Sequence, residues 1–316
     1  MTRWGFLGAG NIARTALAPA VHAAEGAVLQ AAAARDPLRA KGLGPLTVHS
    51  SYDALLADTS VDAVYISLSN EAHLPWTLAA LAAGKHVLCE KPLGLTAAEV
   101  DRMRAARGEL LVVEASWYRW HPRIRLAQQR LPEIGAVEHV TAGFAFAGRL
   151  GGNYRLDPAR GGGALYDVGH YAVSAALWAV GRGLPTHVAA RARLSGTGVD
   201  LSTEAVLEWD GATAEIRAGI DEGLGQWLVI TGADGELELR DAPYSSWKDD
   251  ATELWVSDGR TTERVPVAAT DAYQVMVEEM SSVISGGPGW VLPLEDSRQT
   301  AAALDLIRSA AVAERR

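Results

Sequence analysis

"GFLGAGNIA", residues 5–13, sets a glycine-rich turn between a short apolar run and an alanine-rich stretch of helical periodicity. Gly8, Gly10 and Ala13 stand in a G-x-G-x-x-A pattern. Glycines at the first two positions permit a tight turn and close approach of backbone N–H groups to a pyrophosphate. The N-terminus of the helix that follows favours the negative charge. Strand, turn, helix and second strand in this order predict a dinucleotide-binding unit; a turn adopted for conformational reasons alone is the plainer alternative.

Working outward, residues 3 to about 116 alternate apolar runs ("RWGFL", "AVLQAAAA", "VDAVYISL", "HVLCE", "ELLVVEA") with helical stretches such as "LPWTLAALAAG" and "TAAEVDRMRAAR". Strands buried on both faces and joined by helices imply a doubly wound parallel sheet. From about 136 to 267 the period changes to two, as in "EHVTAGFAFAG" and "STEAVLEWDG", with Asp-Gly turns in "GADGELEL" and "SDGRTTER" that suit hairpins. The expected fold is α/β: a Rossmann domain over 1–118, then an α+β domain over 119–316 on an open, mostly antiparallel sheet. Helices are expected in "GALYDVGHYAVSAALWAV", "AYQVMVEEMSSVI" and "EDSRQTAAALDLIRSAAVA", covering that sheet or returning to the first domain.

Composition narrows the function. The 316 residues carry 29 basic and 38 acidic side chains, a net charge of −9, with no basic run or aromatic-interleaved basic stripe. The footprint of nucleic-acid binding is missing. No apolar stretch approaches the roughly 20 residues that span a bilayer, and the N-terminus reads as a strand rather than an export signal. A single cysteine, Cys89, excludes an intrachain disulfide and fits a reducing, cytoplasmic setting; it reads as a small buried residue. The eight histidines form no H-x-x-x-H or Cys/His cluster, so no metal site is expected.

The tip of the second strand selects the cofactor, an acid there suiting a ribose 2′-hydroxyl and a neutral residue with an arginine suiting a 2′-phosphate. "AAAARD" puts Ala34 and Arg35 at that tip before Asp36. This favours NADP over NAD; the alternative leaves Arg35 in solvent and makes Asp36 the cap of the turn at Pro37.

"LCEKPLG" at 88–94, with "GFLGAGNIA", "SNEAHLPWTLAALAAGKHVLCEKPL" and "GGGALYDVGHYAV", resembles the glucose-fructose oxidoreductase / inositol dehydrogenase (Gfo/Idh/MocA) family over nearly the whole chain. The resemblance implies a nicotinamide held between the two domains, Lys91 beside the reacting carbon, and a cis bond before Pro92. It marks Gly8, Gly10, Asn11, Ile12, Ala34, Arg35, Asn70, His73, Glu90 and Lys91 as cofactor contacts, with Asn70 and His73 near the nicotinamide. "VVEASWYRWHP" and "NYRLDPARGGGALYDVGHYAV" look like the branch of dihydrodiol dehydrogenases, aldose dehydrogenases and glucose-fructose oxidoreductase, and point to Trp117, Arg119, Asp167 and His170 on the substrate side. Members are often dimers or tetramers, so a homodimer or homotetramer is expected.

Hydride transfer at a carbinol carbon requires a group that takes or gives the hydroxyl proton. Tyrosine is too weak an acid for this near neutrality unless a neighbouring cation favours the phenolate. Lys91, one of four lysines, is the natural cation. Asp167 and Tyr171, four apart, fall on one helix face, with His170 turned about 100° from Tyr171. Tyr171 is therefore the expected acid/base, in the register where many members carry histidine. The bland readings are a core tyrosine, and a His170 that pairs with Asp167 instead of touching substrate. Tryptophans in apolar runs are core residues as a rule; Trp117 and Trp120, after the last Rossmann strand, are candidates for the substrate side. The reading is an NAD(P)-dependent oxidoreductase acting on a sugar or cyclic polyol. A trans-dihydrodiol-type dehydrogenase and a non-catalytic dinucleotide-binding sensor are the alternatives.

Overall fold

The apolar runs of the first hundred residues form one parallel sheet: β1 (Thr2–Leu7), β2 (Ala27–Ala33), β3 (Thr47–His49), β4 (Ala63–Ile66), β5 (His86–Cys89) and β6 (Val112–Glu114), in the order β3-β2-β1-β4-β5-β6. The computed structural model describes residues 1–148, 151–246 and 248–315. They divide into two units, the first made of Met1–Gly94, Ala98–Trp120 and Asp271–Leu294, the second of Leu95–Ala97, His121–Thr270 and the chain from Glu295 onward.

In the first unit every residue of β4 is buried and β1 is nearly so, as a sheet covered on both faces requires. One cover is the helix Ala272–Ile284. Its buried residues Ala272, Tyr273, Met276, Val277 and Met280 recur at three- and four-residue steps and join a core with Trp4, Leu17 and Val21. Asp271 caps it, accepting from the N–H groups of Tyr273 and Gln274. Trp4 Nε1 donates to Ser281 Oγ at 3.1 Å, tying the helix to the central strand.

Among the described residues the second unit carries nine strands. These are β7 (Val137–Ala147), β8 (His187–Leu194), β9 (Asp200–Trp209), β10 (Ala212–Gly219), β11 (Asp221–Gly232), β12 (Glu236–Leu239), β13 (Thr252–Ser257), β14 (Thr262–Val267) and β15 (Ala311–Arg315), ordered β14-β13-β12-β11-β7-β10-β9-β8-β15. Only β7–β10 and β8–β15 pair in parallel; the other neighbours are antiparallel. Both Asp-Gly turns lie where expected, linking β11 to β12 and β13 to β14.

The last helix departs from the reading. It ends at Ala310, and Ala311–Arg315 pairs with β8, because an open sheet edge offers unpaired backbone groups that outweigh the helical preference of "AAVA". Across β7 and β10 runs the helix His170–Val180, its residues almost all buried. It is preceded by a wide π-type turn over Leu165–Gly169. A Cβ on Gly169 would stand 3.1 Å from the Ala218 Cβ on β10, so glycine lets helix and sheet approach this closely.

Candidate active site

In the first unit the glycine turn follows β1. Gly8 has φ +99°, and a Cβ there would lie 2.5 Å from the Ser67 carbonyl oxygen at the end of β4. Only glycine fits that approach. The helical bond from Arg14 N–H to the Gly10 carbonyl, at 3.1 Å, leaves the N–H groups before it at the helix mouth, the arrangement that accepts a pyrophosphate. The exposed Asn11 accepts from Arg14 Nη2, and Ile12 is half-buried.

At the tip of β2 Ala34 is half-buried and Arg35 exposed. Asp36 accepts from Leu38 N–H at 2.9 Å and caps the next helical turn, which accounts for that acid without a ribose. Arg39, which the sequence reading passed over, reaches back to donate to the Ala9 carbonyl at 2.7 Å. Arg35 acts on Tyr52, pulling down a phenol pKa that burial raises. Two guanidinium groups thus flank a neutral strand tip, a setting suited to a 2′-phosphate.

The segment around Lys91 is held from three sides. The Lys91–Pro92 peptide is cis and Lys91 is half-buried. Glu90 accepts from Tyr65 Oη at 2.6 Å and from Lys91 N–H at 3.3 Å. Burial pushes the Glu90 carboxyl up, against the pull of Tyr65 and the Lys91 charge. Glu114, at the end of β6, accepts from Leu93 N–H at 2.7 Å. His73 is fully buried; Nδ1 donates to the Pro92 carbonyl at 2.8 Å and Nε2 lies 3.3 Å from that of Leu68, an assignment of protons that follows the shorter contact. Burial lowers its pKa. His73 thus braces the turn after Lys91, and Asn70, three residues before it, is buried. A carboxylate closing an apolar strand, as in "LVVEA", was the available signal for Glu114.

Trp117 and Arg119 follow β6 in this unit. Trp117 stacks on Tyr273 with centroids 4.5 Å apart, and the buried Arg119 lies over Trp290 at 5.9 Å. Trp120 is fully buried, its Nε1 donating to the Trp290 carbonyl at 3.2 Å. These rings belong to the core of the first unit.

In the second unit the "GGG" run delivers Asp167, His170 and Tyr171. Gly163, at φ +116°, passes so close to Asp200 that a Cβ would stand 2.0 Å from its Oδ1. The Asp200 carboxylate accepts from Leu165 N–H at 2.8 Å and Thr203 Oγ1 at 2.7 Å, and burial pushes its pKa up. It holds the start of the helix that carries the predicted acid/base. Asp167 accepts from Arg155 Nε at 2.5 Å. Tyr171 is 7% exposed, and the fully buried His170 meets it edge-on at 5.7 Å. Arg155 and Asp200 went unnoticed in the sequence because "NYRLD" and "GVDLS" resemble ordinary loop text.

Among the described residues no group of three or more His, Cys, Asp or Glu could hold a metal ion, and no helix is long and apolar enough to cross a membrane. Cys89 is buried, and burial pushes its thiol pKa up.

Comparison with known proteins bears on both units. Residues 2–113 match the model of an oxidoreductase family with an NAD-binding Rossmann fold, and 124–238 that of the GFO/IDH/MocA C-terminal domain. A D-xylose 1-dehydrogenase (NADP(+)) of Haloferax volcanii is 37% identical, covering 98% of this chain and 97% of its own. The mouse trans-1,2-dihydrobenzene-1,2-diol dehydrogenase is 32% identical over 85% of this chain and 82% of its own. A 3-ketoreductase of Actinomadura kijaniata, solved with NADP and TDP-benzene, superposes with TM-score 0.92 at 28% identity, covering 100% of this chain and 99% of its own. That ketoreductase is also solved with a tyrosine replaced by phenylalanine and with a lysine replaced by alanine or glutamate. With both units matched in chain order and the whole length shared with named dehydrogenases and reductases, the chain belongs to the Gfo/Idh/MocA oxidoreductase family.

Proposed function

We propose that this protein is an NADP-dependent oxidoreductase that transfers hydride between the nicotinamide and a hydroxyl- or carbonyl-bearing carbon of a sugar or sugar-like cyclic polyol. The observation that carries this is the full-length similarity, at 37% identity, to a D-xylose 1-dehydrogenase (NADP(+)). Arg35 and Arg39 at a neutral strand tip support the 2′-phosphate form. When bound, the dinucleotide supplies the hydride chemistry.

This chain's residues do the rest. Gly8, Gly10, Asn11 and Ile12 present the turn and helix mouth to the pyrophosphate, and Ala34 and Arg35 take the adenosine end. Asn70 and His73 stand near the nicotinamide and Glu90 and Lys91 complete the cofactor contacts, with His73 and Glu90 also bracing the turn at Lys91. Tyr171 is the general acid/base: in oxidation its phenolate takes the substrate hydroxyl proton, and in reduction its phenol returns one. Lys91 assists by favouring the phenolate. Asp167 and His170 in the second unit, with Trp117 and Arg119 in the first, serve the substrate side. The protein works as a cytoplasmic homodimer or homotetramer, which light scattering tests.

The similarity to a trans-dihydrodiol dehydrogenase supports that substrate as the second reading. Purified protein with NADP+ or NAD+, offered D-xylose, other aldoses, inositol and a trans-dihydrodiol, separates the two by the absorbance of the reduced nicotinamide. Turnover of sugars with NADP+ preferred supports the proposal; turnover of the dihydrodiol alone replaces it with the second reading; no turnover of any substrate with cofactor bound removes both.

A further inference from the structure

Tyr171 is one of three packed rings. Its centroid lies 5.8 Å from that of Phe144 and 5.9 Å from that of Tyr244, which are 6.2 Å apart. Tyr171 and Tyr244 are inclined by 26° and Phe144 and Tyr244 by 15°, offset-stacked arrangements that resist tilting of any one ring. Phe144 is on β7, and its register partner on β11 is Gln226. Tyr244 belongs to neither strand but is fixed to β11: its Oη donates to the Trp227 carbonyl at 3.0 Å and its N–H to Gln226 Oε1 at 3.1 Å.

The loop that carries Tyr244 is strained. Asp241 and Ala242 are successive non-glycine residues with φ of 55° and 54°, a left-handed backbone that side-chain-bearing residues keep only where the surroundings impose it. Arg123 imposes it. This side chain is 1% exposed, and its guanidinium donates to the carbonyls of Arg240 at 2.6 Å and Ala242 at 3.0 Å, to that of Asp241 at 3.3 Å, and to Ser246 Oγ at 2.5 Å. Ser246 Oγ in turn donates to the Ala242 carbonyl at 2.9 Å. Burial pushes the Arg123 pKa down to about 10, so the group stays charged at neutral pH. A buried cation thus uses its donors to hold the loop whose buried aromatic ring packs on Tyr171.

We infer that Tyr244 is a positioning residue for Tyr171. Tyr244 is fully buried and hydrogen-bonded through its hydroxyl and its N–H; its ring, packed on that of Tyr171, limits the swing of the Tyr171 ring at Cβ and hence the position of its hydroxyl. A tilt of about 10° at Cβ moves a tyrosine hydroxyl by about 1 Å, a misplacement that can lower a rate by on the order of 100-fold. The inference rests on Tyr171 being the acid/base.

The test is a double-mutant cycle on the enzyme with D-xylose and NADP+. Tyr244→Leu, which removes the ring, is expected to lower kcat by about 10- to 100-fold with the NADPH Kd within about twofold of the parent. Tyr244→Phe, which keeps the ring, is expected to recover most of kcat. In the Tyr171→Phe background the Tyr244→Leu loss is expected to shrink to under about twofold, because the group being positioned is gone. An equal loss in both backgrounds, or unchanged kcat in Tyr244→Leu, overturns the inference. Full activity in Tyr171→Phe alone is a different result, which removes the acid/base reading and this inference with it. Should Tyr244→Leu not fold, Phe144→Leu removes the other ring beside Tyr171 and is judged by the same two backgrounds.

Discussion

Arg155 Nε donates to Asp167 Oδ2 at 2.5 Å, in a pair whose carboxylate side is 8% exposed and whose guanidinium is 29% exposed. Burial opposes the Arg155 charge, and Asp167, Tyr154 and Tyr171 outweigh it, so its pKa is raised. Asp167 stands four residues before Tyr171. A carboxylate in that place disfavours a phenolate, and Arg155 cancels it.

Replacing Arg155 by methionine removes this positive partner of the carboxylate. The pKa of Tyr171 rises, and the limb of the kcat–pH profile for sugar oxidation is expected to move to higher pH, with kcat at neutral pH lower by about tenfold for each unit moved. Arg155→Lys keeps a charge and should lie between. A Met variant with the parent profile contradicts this link.

The strand-tip arginines set the cofactor preference. A hydrogen bond to a charged group contributes roughly 1.5–3 kcal/mol, so Arg35→Ala is expected to weaken NADP+ by about 10- to 100-fold and leave NAD+ within about threefold. Arg39→Ala should act in the same sense and also loosen the glycine turn, since Arg39 holds the Ala9 carbonyl. Fluorescence titration with NADPH and NADH reads both; equal weakening of the two cofactors speaks against a 2′-phosphate site.

Gly8→Ala meets a main-chain oxygen and a φ that L-residues avoid. The strain of roughly 1–2 kcal/mol, with the displacement of the turn, is expected to weaken NADPH binding by more than about tenfold and to lower the melting temperature. Unchanged affinity means that the turn does not contact the pyrophosphate.

How much of this was legible follows from where each signal lies. The glycine turn, β1 and the segment around Lys91 are contiguous text, and a local pattern displays them. β3 is three residues at a sheet edge, too short for periodicity to register. β15 reads as helix because alanine favours helix and the pairing edge of β8 lies more than a hundred residues away. The same distance hides the supports of the site. Arg123, Phe144, Gln226 and Tyr244 come together only once β7 and β11 are paired, and Asp200 reaches the "GGG" run only through the fold. His73 illustrates the opposite limit: its place in the text is plain, but its commitment to the Pro92 carbonyl is not.

Asp58 gives a test of the first unit's stability against pH. Hydrogen bonds from Ser60 Oγ at 2.6 Å and Ser60 N–H at 2.8 Å, with His49 Nε2 at 2.9 Å, lower its pKa from 3.8 to about 2. A lowered carboxylate contributes stability that is full above the unfolded value and is lost as pH falls through the folded one. Asp58→Ala should thus melt below the parent at pH 6, with the gap closing between about pH 4 and pH 2. A gap that does not depend on pH excludes the charged form as its source.

The central claim is that Tyr171 moves the proton, and the most direct measurement is kcat of Tyr171→Phe at saturating sugar and NADP+, with NADPH affinity measured on the same sample. Loss of a general acid/base lowers turnover by about 10²- to 10⁴-fold; a fall of that size with unchanged NADPH affinity is the predicted result. A variant that binds NADPH normally and turns over at the parent rate would contradict the account.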